Sequence, residues 1–369
     1  MAMRGRVAVN LTWCIPGVVG GSEEYLCRQL LGVGEAGLST TVFAPRGFAR
    51  VHPELIEHHE IVEARHSCTS RPRRMLTEST WLHRRARGAS VVHHGGGTLP
   101  VLYRKPTLLT IHDLQYLQFP QYFSRRRLTY LRAVMPRSAL AADLIAVPTE
   151  FVKRTVVDAF GVPDQRIEVV PHGVDHSLAQ DVAPEAELRA RFGLGPEPIV
   201  VMPAATHPHK GHLFLIDVAD RHWSHQGVRL VLMGGPGASE SAVRQRLDDE
   251  RVARWVTHVG RVSDRDRNGL IAMASALAFP SEYEGFGAPV IEAMQLGVPV
   301  VSSDRACLPE VVGDAGVVLS LQEDLWAAVP DLVAARRDEL IASGHRRVEA
   351  FTIRASGEAL ARAYRRLGA

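Results

Sequence analysis

The sequence predicts an α/β protein made of two doubly wound domains, each with a parallel sheet. Short runs rich in β-branched residues alternate with stretches of helical apolar spacing, which is the pattern of repeated βαβ units. The chain has 369 residues, more than one ordinary hydrophobic core accommodates. A polar segment rich in Pro, Gly and Ala at 176–197 interrupts the alternation, which then begins again. We therefore interpret this segment as the crossover between two Rossmann-like domains.

Six strands are predicted in the first half of the chain. They cover 6–11, 39–45, 90–94, 106–113, 143–149 and 166–175. The first strand leads through a glycine-containing loop into SEEYLCRQLLGVGEAG, whose apolar residues have helical spacing. The second half predicts six more strands at 198–204, 228–236, 256–262, 276–281, 298–304 and 315–320. Helices are predicted near 211–225, 239–253, 264–275 and from about 289.

The predicted architecture indicates where a ligand should bind. Ligands of doubly wound sheets lie at the C-terminal ends of the strands, so two such domains predict a site in the cleft that they face. We expect a first domain at 1–178 and a second at 179–350. A C-terminal helix at about 351–369 is expected to pack back on the first domain.

Composition indicates a soluble globular chain without a membrane-spanning helix. The chain is 46% hydrophobic and 22% charged, and it has no run of about 18 uncharged apolar residues. The N-terminal segment MAMRGRVAVNLTW lacks a signal-peptide cleavage pattern. The four cysteines, Cys14, Cys27, Cys68 and Cys307, lack metal-ligand spacing and suit reduced thiols. We therefore expect a cytoplasmic protein.

The net charge of +3 is unevenly distributed along the chain. Residues 1–175 contain 22 Lys and Arg against 15 Asp and Glu, and the remainder contains 21 against 25. A basic half can attract a membrane surface, an anionic substrate or nucleic acid, or it can simply be a solvated face. The sequence leaves these alternatives open.

The stretch EGFGAPVIE holds two carboxylates, Glu284 and Glu292, on either side of a glycine-containing loop. Gly285 and Gly287 let the backbone approach a ligand closely, and Pro289 suits the first turn of a helix. Amides at a helix N-terminus favour an anion such as phosphate, and a carboxylate accepts hydrogen bonds from adjacent sugar hydroxyls. The alternative is structural, with a tight turn and an acid that complements the helix dipole.

The stretch HPHKGH lies between a predicted strand and a predicted helix. Lys210 is a compact positive charge suited to a diphosphate. His207, His209 and His212 do not have a recognisable zinc-ligand spacing, so loop or cap roles are favoured and no metal site is predicted. Asp264-Arg265-Asp266 is interpreted as the cap of a helix rather than as a metal-binding Asp-X-Asp.

Two stretches of the first half end predicted strands, where doubly wound domains expose site residues. His112 ends TLLTIHD, and HHGGG at 93–97 is expected to line an acceptor pocket. Gly20 and Gly21 place amides at a helix start, although the G-x-G-x-x-G fingerprint is absent. The alternative for His112 is a histidine whose hydrogen bonds are satisfied at a domain interface. The alternative for Gly20 and Gly21 is a capped turn. Lys153 and Arg154 suit either an anionic acceptor or solvent.

Four segments in this order resemble the retaining glycosyltransferases of family 4, which have the GT-B fold. The segment EGFGAPVIEAMQLGVPVVSSDRACLPEVVGDAG resembles the family signature, with E-x7-E at Glu284 and Glu292. HPHKGH resembles the family's phosphate-binding loop. TIHDLQYLQFPQYFS and VPTEFVKRTVVDAFGVPDQRIEVVPHGVD resemble its N-terminal domain and hinge. The resemblance covers nearly the whole chain.

The resemblance implies a hexose transfer from a nucleotide-diphosphate sugar to a hydroxyl acceptor, with retention and without a metal or other cofactor. It implies that the second domain binds the donor and the first binds a glycan, lipid-linked or natural-product acceptor, with no nucleic acid. Lys210, Glu284 and His112 are the implied catalytic residues. The implied donor-binding residues are Gly20, Gly21, Thr206, Lys210, Arg261, Val262, Glu284, Gly285, Phe286, Gly287, Ala288 and Glu292.

Within this set, the resemblance assigns a part of the donor to each group. Glu292 would hold the ribose, and Glu284 with the amides of 285–287 would hold the sugar hydroxyls. Ala288 and Lys210 would contact the diphosphate, Arg261 and Val262 the base. His112 would face the sugar, and the glycines at 20–21 would lie over the phosphates or near the acceptor.

One departure from the family pattern concerns the diphosphate. Many members carry an arginine a few residues before the lysine, where this chain reads Ala204-Ala205-Thr206-His207. Thr206 or His207 is the expected substitute. The PAATHPHKGH form resembles mannosyltransferases of polysaccharide assembly. Two alternatives stay open: a nucleotide-sugar-binding protein with little or no transferase activity, and a nucleotide-sugar epimerase. Peripheral contact of the basic first domain with the inner membrane face is a further expectation.

Overall fold

The structure is a computed structural model that describes residues 7–17 and 21–369. The chain divides into two compact units. One contains the chain up to Gly173 together with Phe351–Ala369, and the other contains Val174–Ala350. Within the described residues, no helix combines the length and apolar character that a membrane span needs.

The first unit is built on a seven-stranded parallel sheet. Its strands β1–β7 are Val7–Asn10, Thr40–Ala44, Glu60–Glu63, Val91–His94, Thr107–Thr110, Leu144–Val147 and Ile167–Val169. Their spatial order is β3-β2-β1-β4-β5-β6-β7, and every pairing is parallel. The parallel doubly wound sheet predicted from the sequence is therefore confirmed. The edge strand β3 was not predicted, because its sequence EIVE is half charged and only partly buried.

The five inner strands of this sheet are fully buried. Every residue of β1, β2, β4, β5 and β6 is buried, as expected for strands packed on both faces. The first seven α-helices, α1–α7, are Gly21–Glu35, Phe48–Val51, Arg71–Thr77, His83–Arg85, Gln115–Gln118, Arg125–Ala141 and Glu150–Phe160.

The second unit has a six-stranded parallel sheet. Its strands β8–β13 are Ile199–Pro203, Arg229–Met233, Val256–Gly260, Ala276–Phe279, Val300–Ser303 and Val317–Leu319. Their order is β10-β9-β8-β11-β12-β13, so all six strands predicted here are present. The helices α8–α16 are Glu185–Phe192, His212–Arg221, Glu240–Leu247, Glu250–Ala253, Asp264–Ala272, Ala288–Gln295, Leu308–Val312, Glu323–Ala327 and Val329–Val348.

The segment interpreted as a crossover, 176–197, lies within the second unit. Leu188 of α8 is fully buried, and the Arg191 guanidinium bonds the Asp266 carboxylate at 2.7 Å. The helix α12 is capped by Ser263, whose hydroxyl accepts the Asp266 amide at 3.1 Å. The cap assigned to the Asp-Arg-Asp triplet therefore belongs to Ser263, and Asp264 and Asp266 follow it in the first turn.

Each sheet has a topological switch point, where successive strands stop being added on one side of the first strand and begin to be added on its other side. In the second sheet, β8 lies between β9 and β11, so the loops that follow β8 and β11 leave neighbouring strands at the same edge. In the first sheet, β1 lies between β2 and β4 in the same way. These switch points are where open parallel sheets bind ligands.

The C-terminal helix α17, Ile353–Arg366, packs on α1 in the first unit. The two helices touch backbone to backbone, because a Cβ added to Gly357 would lie 2.4 Å from the Gly32 Cα. The Tyr364 hydroxyl of α17 hydrogen-bonds the His93 ring at 2.8 Å, which ties the helix to the end of β4.

Replacing Gly357 with Ala should destabilise the first unit, although the same change in a helix interior normally stabilises by about 0.5–1 kcal/mol. The added methyl group meets the α1 backbone, which cannot rotate away, and overpacking of this kind costs roughly 1–3 kcal/mol. Thermal unfolding measures the difference. Arg362→Ala, an exposed change on the same helix, should stay within about 0.5 kcal/mol of the parent. A Gly357→Ala protein that melts at or above the parent temperature would contradict the close packing.

Candidate active site

An ion pair joins the loops that follow β8 and β11 in the second unit. Lys210 Nζ donates to Glu284 Oε1 at 2.5 Å, and the two side chains are 17% and 12% exposed. The ammonium also lies 5.7 Å from the centroid of the Phe279 ring. The structure therefore brings together two residues that are 74 positions apart and that sequence reasoning placed in one site.

The backbone of both loops is fixed by hydrogen bonds between them. The Glu282 amide donates to the His209 carbonyl at 2.7 Å, and the Ser281 hydroxyl donates to the same carbonyl at 3.2 Å. Gly211 has φ +79°, and a Cβ there would lie 2.5 Å from the Pro280 carbonyl oxygen. Because the loops are held by main-chain contacts, the Lys210–Glu284 pair sits on a rigid base.

The glycine-containing loop ends in the helix α13, as the sequence predicts. Gly287 has φ +87° and stands at the N-cap position, where a Cβ would lie 2.9 Å from Leu308 Cδ2. Ala288 begins the helix and Pro289 follows it, while the Phe286 ring is buried. The N-terminus of this eight-residue helix therefore follows directly on the loop that carries Glu284, and its amides favour an anion there.

Glu292 lies in the second turn of α13 and is paired with an arginine that sequence reasoning missed. Its carboxylate, 4% exposed, accepts a hydrogen bond from the Arg267 guanidinium, which is 24% exposed. Arg267 belongs to the first turn of α12, so the contact depends on how two helices pack. No local signal in the sequence links Arg267 with a carboxylate 25 positions away.

Thr206, one of the two expected substitutes for an arginine, is fully buried. Its hydroxyl donates to Glu240 Oε2 at 2.8 Å and accepts the Gly237 amide at 2.7 Å. A hydroxyl has a single proton, and here that proton goes to Glu240. The structure thus places Thr206 in the support of the loop that follows β9.

Three histidines surround Lys210 in sequence, and two of them are buried. Burial, with the nearby Lys210 charge as a second cause, lowers the pKa of His209 to about 3, and burial lowers the pKa of His212 to about 4. Both rings are therefore neutral at pH 7. His207 is exposed and stacks its ring on His209 with centroids 5.8 Å apart. In the described part of the chain, no three His, Cys, Asp or Glu side chains form a metal-binding group.

The two residues expected near the base follow β10 directly. Arg261 is exposed and Val262 is partly buried. They leave the sheet at the same C-terminal edge as the loops that carry Lys210 and Glu284, because all six strands are parallel.

His112 follows β5 at the corresponding edge of the first sheet. Its Nε2 hydrogen-bonds the Gly95 carbonyl at 2.8 Å, and burial lowers the pKa of the ring. The rings of Trp13 and Tyr25 lie 5.9 and 5.5 Å away between centroids. Gly21 begins α1 with open space around it, and Gly20 lies outside the described residues.

Two other groups singled out in the first half have internal partners. His93 is buried between the Tyr364 hydroxyl at 2.8 Å and the Thr110 hydroxyl at 2.7 Å, so it belongs to the core of the first unit. Lys153 pairs with Asp164 at 3.0 Å, and Arg154 is exposed.

Replacing Arg267 with Met should lower the melting temperature, because the nearly buried Glu292 carboxylate then loses its counter-charge. Removing one partner of a buried pair costs about 3–5 kcal/mol, and the partial exposure of Arg267 reduces this to about 1–3 kcal/mol. The double change Arg267→Met with Glu292→Met should recover most of the loss in calorimetry. Arg265→Met is the control, since that side chain is 47% exposed and 3.9 Å from its nearest carboxylates. Equal melting temperatures for all four proteins would show that the pair contributes nothing.

Two family models match the chain. The model described as Glycosyltransferase Family 4 matches residues 19–178, and the model described as Glycosyl transferases group 1 matches residues 197–335. The two matches fall on the first and the second unit, and together they cover most of the chain.

Curated proteins that are similar to this chain are named as glycosyltransferases. The O-antigen chain mannosyltransferase B of Escherichia coli is 27% identical over 299 residues, covering 76% of this chain and 75% of the relative. The GDP-mannose-dependent alpha-(1-6)-phosphatidylinositol monomannoside mannosyltransferase of Mycobacterium tuberculosis is 30% identical over 225 residues, and the match covers 58% of each chain. The chain therefore spans three quarters of the first relative and little more than half of the second.

Solved structures agree with the architecture. Anabaena Alr3699/HepE, solved in complex with UDP, superposes with a TM-score of 0.74 at 19% identity, covering 99% of this chain and all of that one. At this identity the likeness shows the fold, two parallel-sheet α/β domains of the GT-B type. None of these matches favours a nucleotide-sugar epimerase or a binding protein without transferase activity. The chain belongs to the glycosyltransferases, with a family 4 domain in its first unit and a group 1 domain in its second.

Proposed function

We propose that this chain transfers a hexose from a nucleotide-diphosphate sugar to a hydroxyl acceptor, with retention of the anomeric configuration. The observation that carries the proposal is the Lys210–Glu284 pair, which joins the loops after β8 and β11 at the switch point of the second sheet, beside the start of α13. The cation and the helix N-terminus suit the donor diphosphate and the negative charge that develops on it as it leaves. The carboxylate suits the sugar hydroxyls.

The donor diphosphate is assigned to Lys210 and the amide of Ala288. Lys210 Nζ already lies against one anionic oxygen, that of Glu284, and a phosphate oxygen has the same requirement for a hydrogen-bonded cation. Glu284 then accepts hydrogen bonds from the sugar hydroxyls, together with the amides of Gly285, Phe286 and Gly287 as further contacts. His112 is assigned to the sugar, and Gly20 and Gly21 to the phosphates.

The nucleoside is assigned to the residues farther along the same edge. Glu292 would accept hydrogen bonds from the ribose hydroxyls while Arg267 balances its charge. Arg261 and Val262 would contact the base. In this arrangement Thr206 supports the loop after β9, and His207 is the exposed group left to contact a phosphate.

Mannose is the sugar that we propose, with GDP as the nucleotide. The support comes from two relatives, one of which is named a GDP-mannose-dependent enzyme and the other an O-antigen chain mannosyltransferase. The acceptor is proposed to be a glycan, lipid-linked or natural-product hydroxyl. The basic excess of residues 1–175 suits peripheral contact with an anionic membrane surface if that acceptor is lipid-linked.

In the proposed reaction, the acceptor hydroxyl attacks the anomeric carbon from the face that the diphosphate leaves. The bond between the anomeric carbon and the phosphate oxygen breaks, and the departing phosphate takes the acceptor proton. The protein contributes positioning and charge stabilisation rather than a nucleophile. Lys210 supplies the positive charge at the leaving group, so we expect transfer without an added divalent metal.

Donor binding and the role of Lys210 can be tested together. GDP-mannose at a hundredfold excess over its Kd should stabilise the protein by about 2.7 kcal/mol in a thermal-shift assay, and UDP-, ADP- or dTDP-sugars at the same concentration should stabilise it less. Lys210→Ala should lower turnover about 100-fold, as expected for loss of one group that stabilises transition-state charge. Both measurements are made in excess EDTA. Lys153→Ala, which removes a lysine paired elsewhere, is the control. Wild-type turnover by Lys210→Ala, or activity abolished by EDTA, would contradict the assignment.

The two carboxylates of EGFGAPVIE should have separable kinetic effects. Glu292→Gln should mainly raise the KM for the donor, because ribose contacts are made equally in the ground state and the transition state. Glu284→Gln should mainly lower kcat, because it loses contacts beside the reacting carbon. Steady-state kinetics with GDP-mannose measure both constants, with Glu282→Gln, an exposed neighbour, as control. Identical changes of kcat and KM in the two variants would rule out this division.

A further inference from the structure

A largely buried polar cluster lies at the switch point of the first sheet, and it includes none of the residues to which the proposed function gives a role. Asn10 ends β1 and His94 ends β4, and both are at most 2% exposed. Thr12 follows β1 and is fully buried. Glu78, in the single π-helical turn Glu78–Leu82 after α3, completes the cluster with its carboxylate. Turns of this kind are frequent at functional sites.

The Glu78 carboxylate is only half used by the protein. Its Oε1 accepts the Asn10 amide at 3.4 Å and lies 2.9 Å from the Thr12 hydroxyl, whose single proton is shared with Asn10 Oδ1 at 2.7 Å. Arg74 Nε is 4.0 Å from the same Oε1. Within residues 7–17 and 21–369, the hydrogen bonds of this carboxylate all fall on Oε1, and the side chain is 12% exposed. Burial raises the pKa of Glu78, consistent with a carboxylate that lacks full compensation.

His94 adds a second unused group to the cluster. The Asn10 side-chain oxygen accepts the Thr12 amide at 3.1 Å, which turns its NH₂ group toward His94 Nδ1, also at 3.1 Å. Nδ1 is then the acceptor and the proton of the neutral ring is on Nε2. That Nε2 is buried, and among the described residues it has no partner.

Glu78 lines a cavity of about 60 Å³ between α3, the loop at 98–103 and α6. Because one water needs about 10–15 Å³ of such space, the cavity holds about four to six waters, or the hydroxyl-bearing end of a small molecule. The other walls are mainly apolar and aromatic, formed by Met75, Leu99, Val101, Tyr103 and Tyr130. Arg137 also lines the cavity, and the Arg71 guanidinium lies 4.7 Å from the centre of the Tyr130 ring.

We propose that this cavity receives the hydroxyl-bearing end of the sugar acceptor, and that the acceptor is a polyol or sugar ring carrying an apolar or aryl group. This inference rests on the proposed transferase function. The free Glu78 oxygen would accept hydrogen bonds from adjacent hydroxyls, and the aromatic walls would contact the apolar group. A cationic ligand is disfavoured by the arginines at 71, 74 and 137. Two carboxylates thus recognise hydroxyls in this chain, Glu284 on the donor and Glu78 on the acceptor.

The probes are p-nitrophenyl α-D-mannopyranoside and methyl α-D-mannopyranoside, which share the sugar and differ in the aryl group. Isothermal titration of the full chain should show binding of the aryl glycoside, at least fivefold tighter than the methyl glycoside. Glu78→Gln should weaken the aryl glycoside about tenfold or more. Tyr130→Ala should remove the advantage of the aryl group while the methyl glycoside binds as before.

Asp143→Asn is the matched control, because it removes one carboxylate from the opposite edge of the same sheet. Its glycoside affinity should equal that of the parent. If Glu78→Gln does not fold, the Tyr130→Ala measurement decides. The proposal is overturned if the parent binds neither glycoside, or if the folded variants bind both as the parent does. GDP binding is measured in the same samples. If the parent does not bind GDP, the donor site of the proposed function is contradicted, whereas the glycoside measurements still test the cavity.

Discussion

The hydrogen-bonded pairing of β8 with β11 is the constraint on which the candidate donor site depends. These strands are more than 70 residues apart in sequence, yet Val200 pairs with Ala276 and Val201 with Leu277 in parallel register. The pairing sends both chain segments out at the same edge, so Lys210 and Glu284 meet there. The hydrogen bonds to the His209 carbonyl then fix the distance between the two loops. If these strands did not pair in this register, the two loops would have the same residues, but Lys210 and Glu284 would not meet.

Compensation of buried carboxylate charge is a second constraint in the second unit. Each acid of the E-x7-E motif has its own cation, Lys210 for Glu284 and Arg267 for Glu292. Desolvated carboxylates need such partners, because an isolated buried charge is costly. The same contacts determine what a ligand must offer: hydroxyls to the carboxylates and an anionic group to the lysine. In the described part of the first unit, the cation paired with Glu78 is Arg74 at 4.0 Å, and this longer distance distinguishes its cavity from the paired sites.

Several parts of the fold followed directly from sequence pattern, and others did not. The twelve predicted strands are present because runs rich in apolar β-branched residues, flanked by loop residues, mark the strands of a parallel sheet. The polar edge strand at Glu60–Glu63 gave no such signal. The cap of α12 went to Ser263 rather than to the acids that follow it, since both residue types satisfy the same local rule. Thr206 was expected at a phosphate, but its only proton is committed to Glu240.

The sequence by itself determined the fold class, the position of the glycine-containing loop before α13 and the residue types available there, because these depend on local periodicity and backbone freedom. It also carried the four motifs that resemble the family. The tertiary structure alone decided which side chains meet. The Arg267–Glu292 pair, the cluster of Asn10, Thr12, His94 and Glu78, and the Gly32–Gly357 contact each join segments 25 or more residues apart. Such contacts depend on strand order and helix packing, and local sequence patterns carry no record of either.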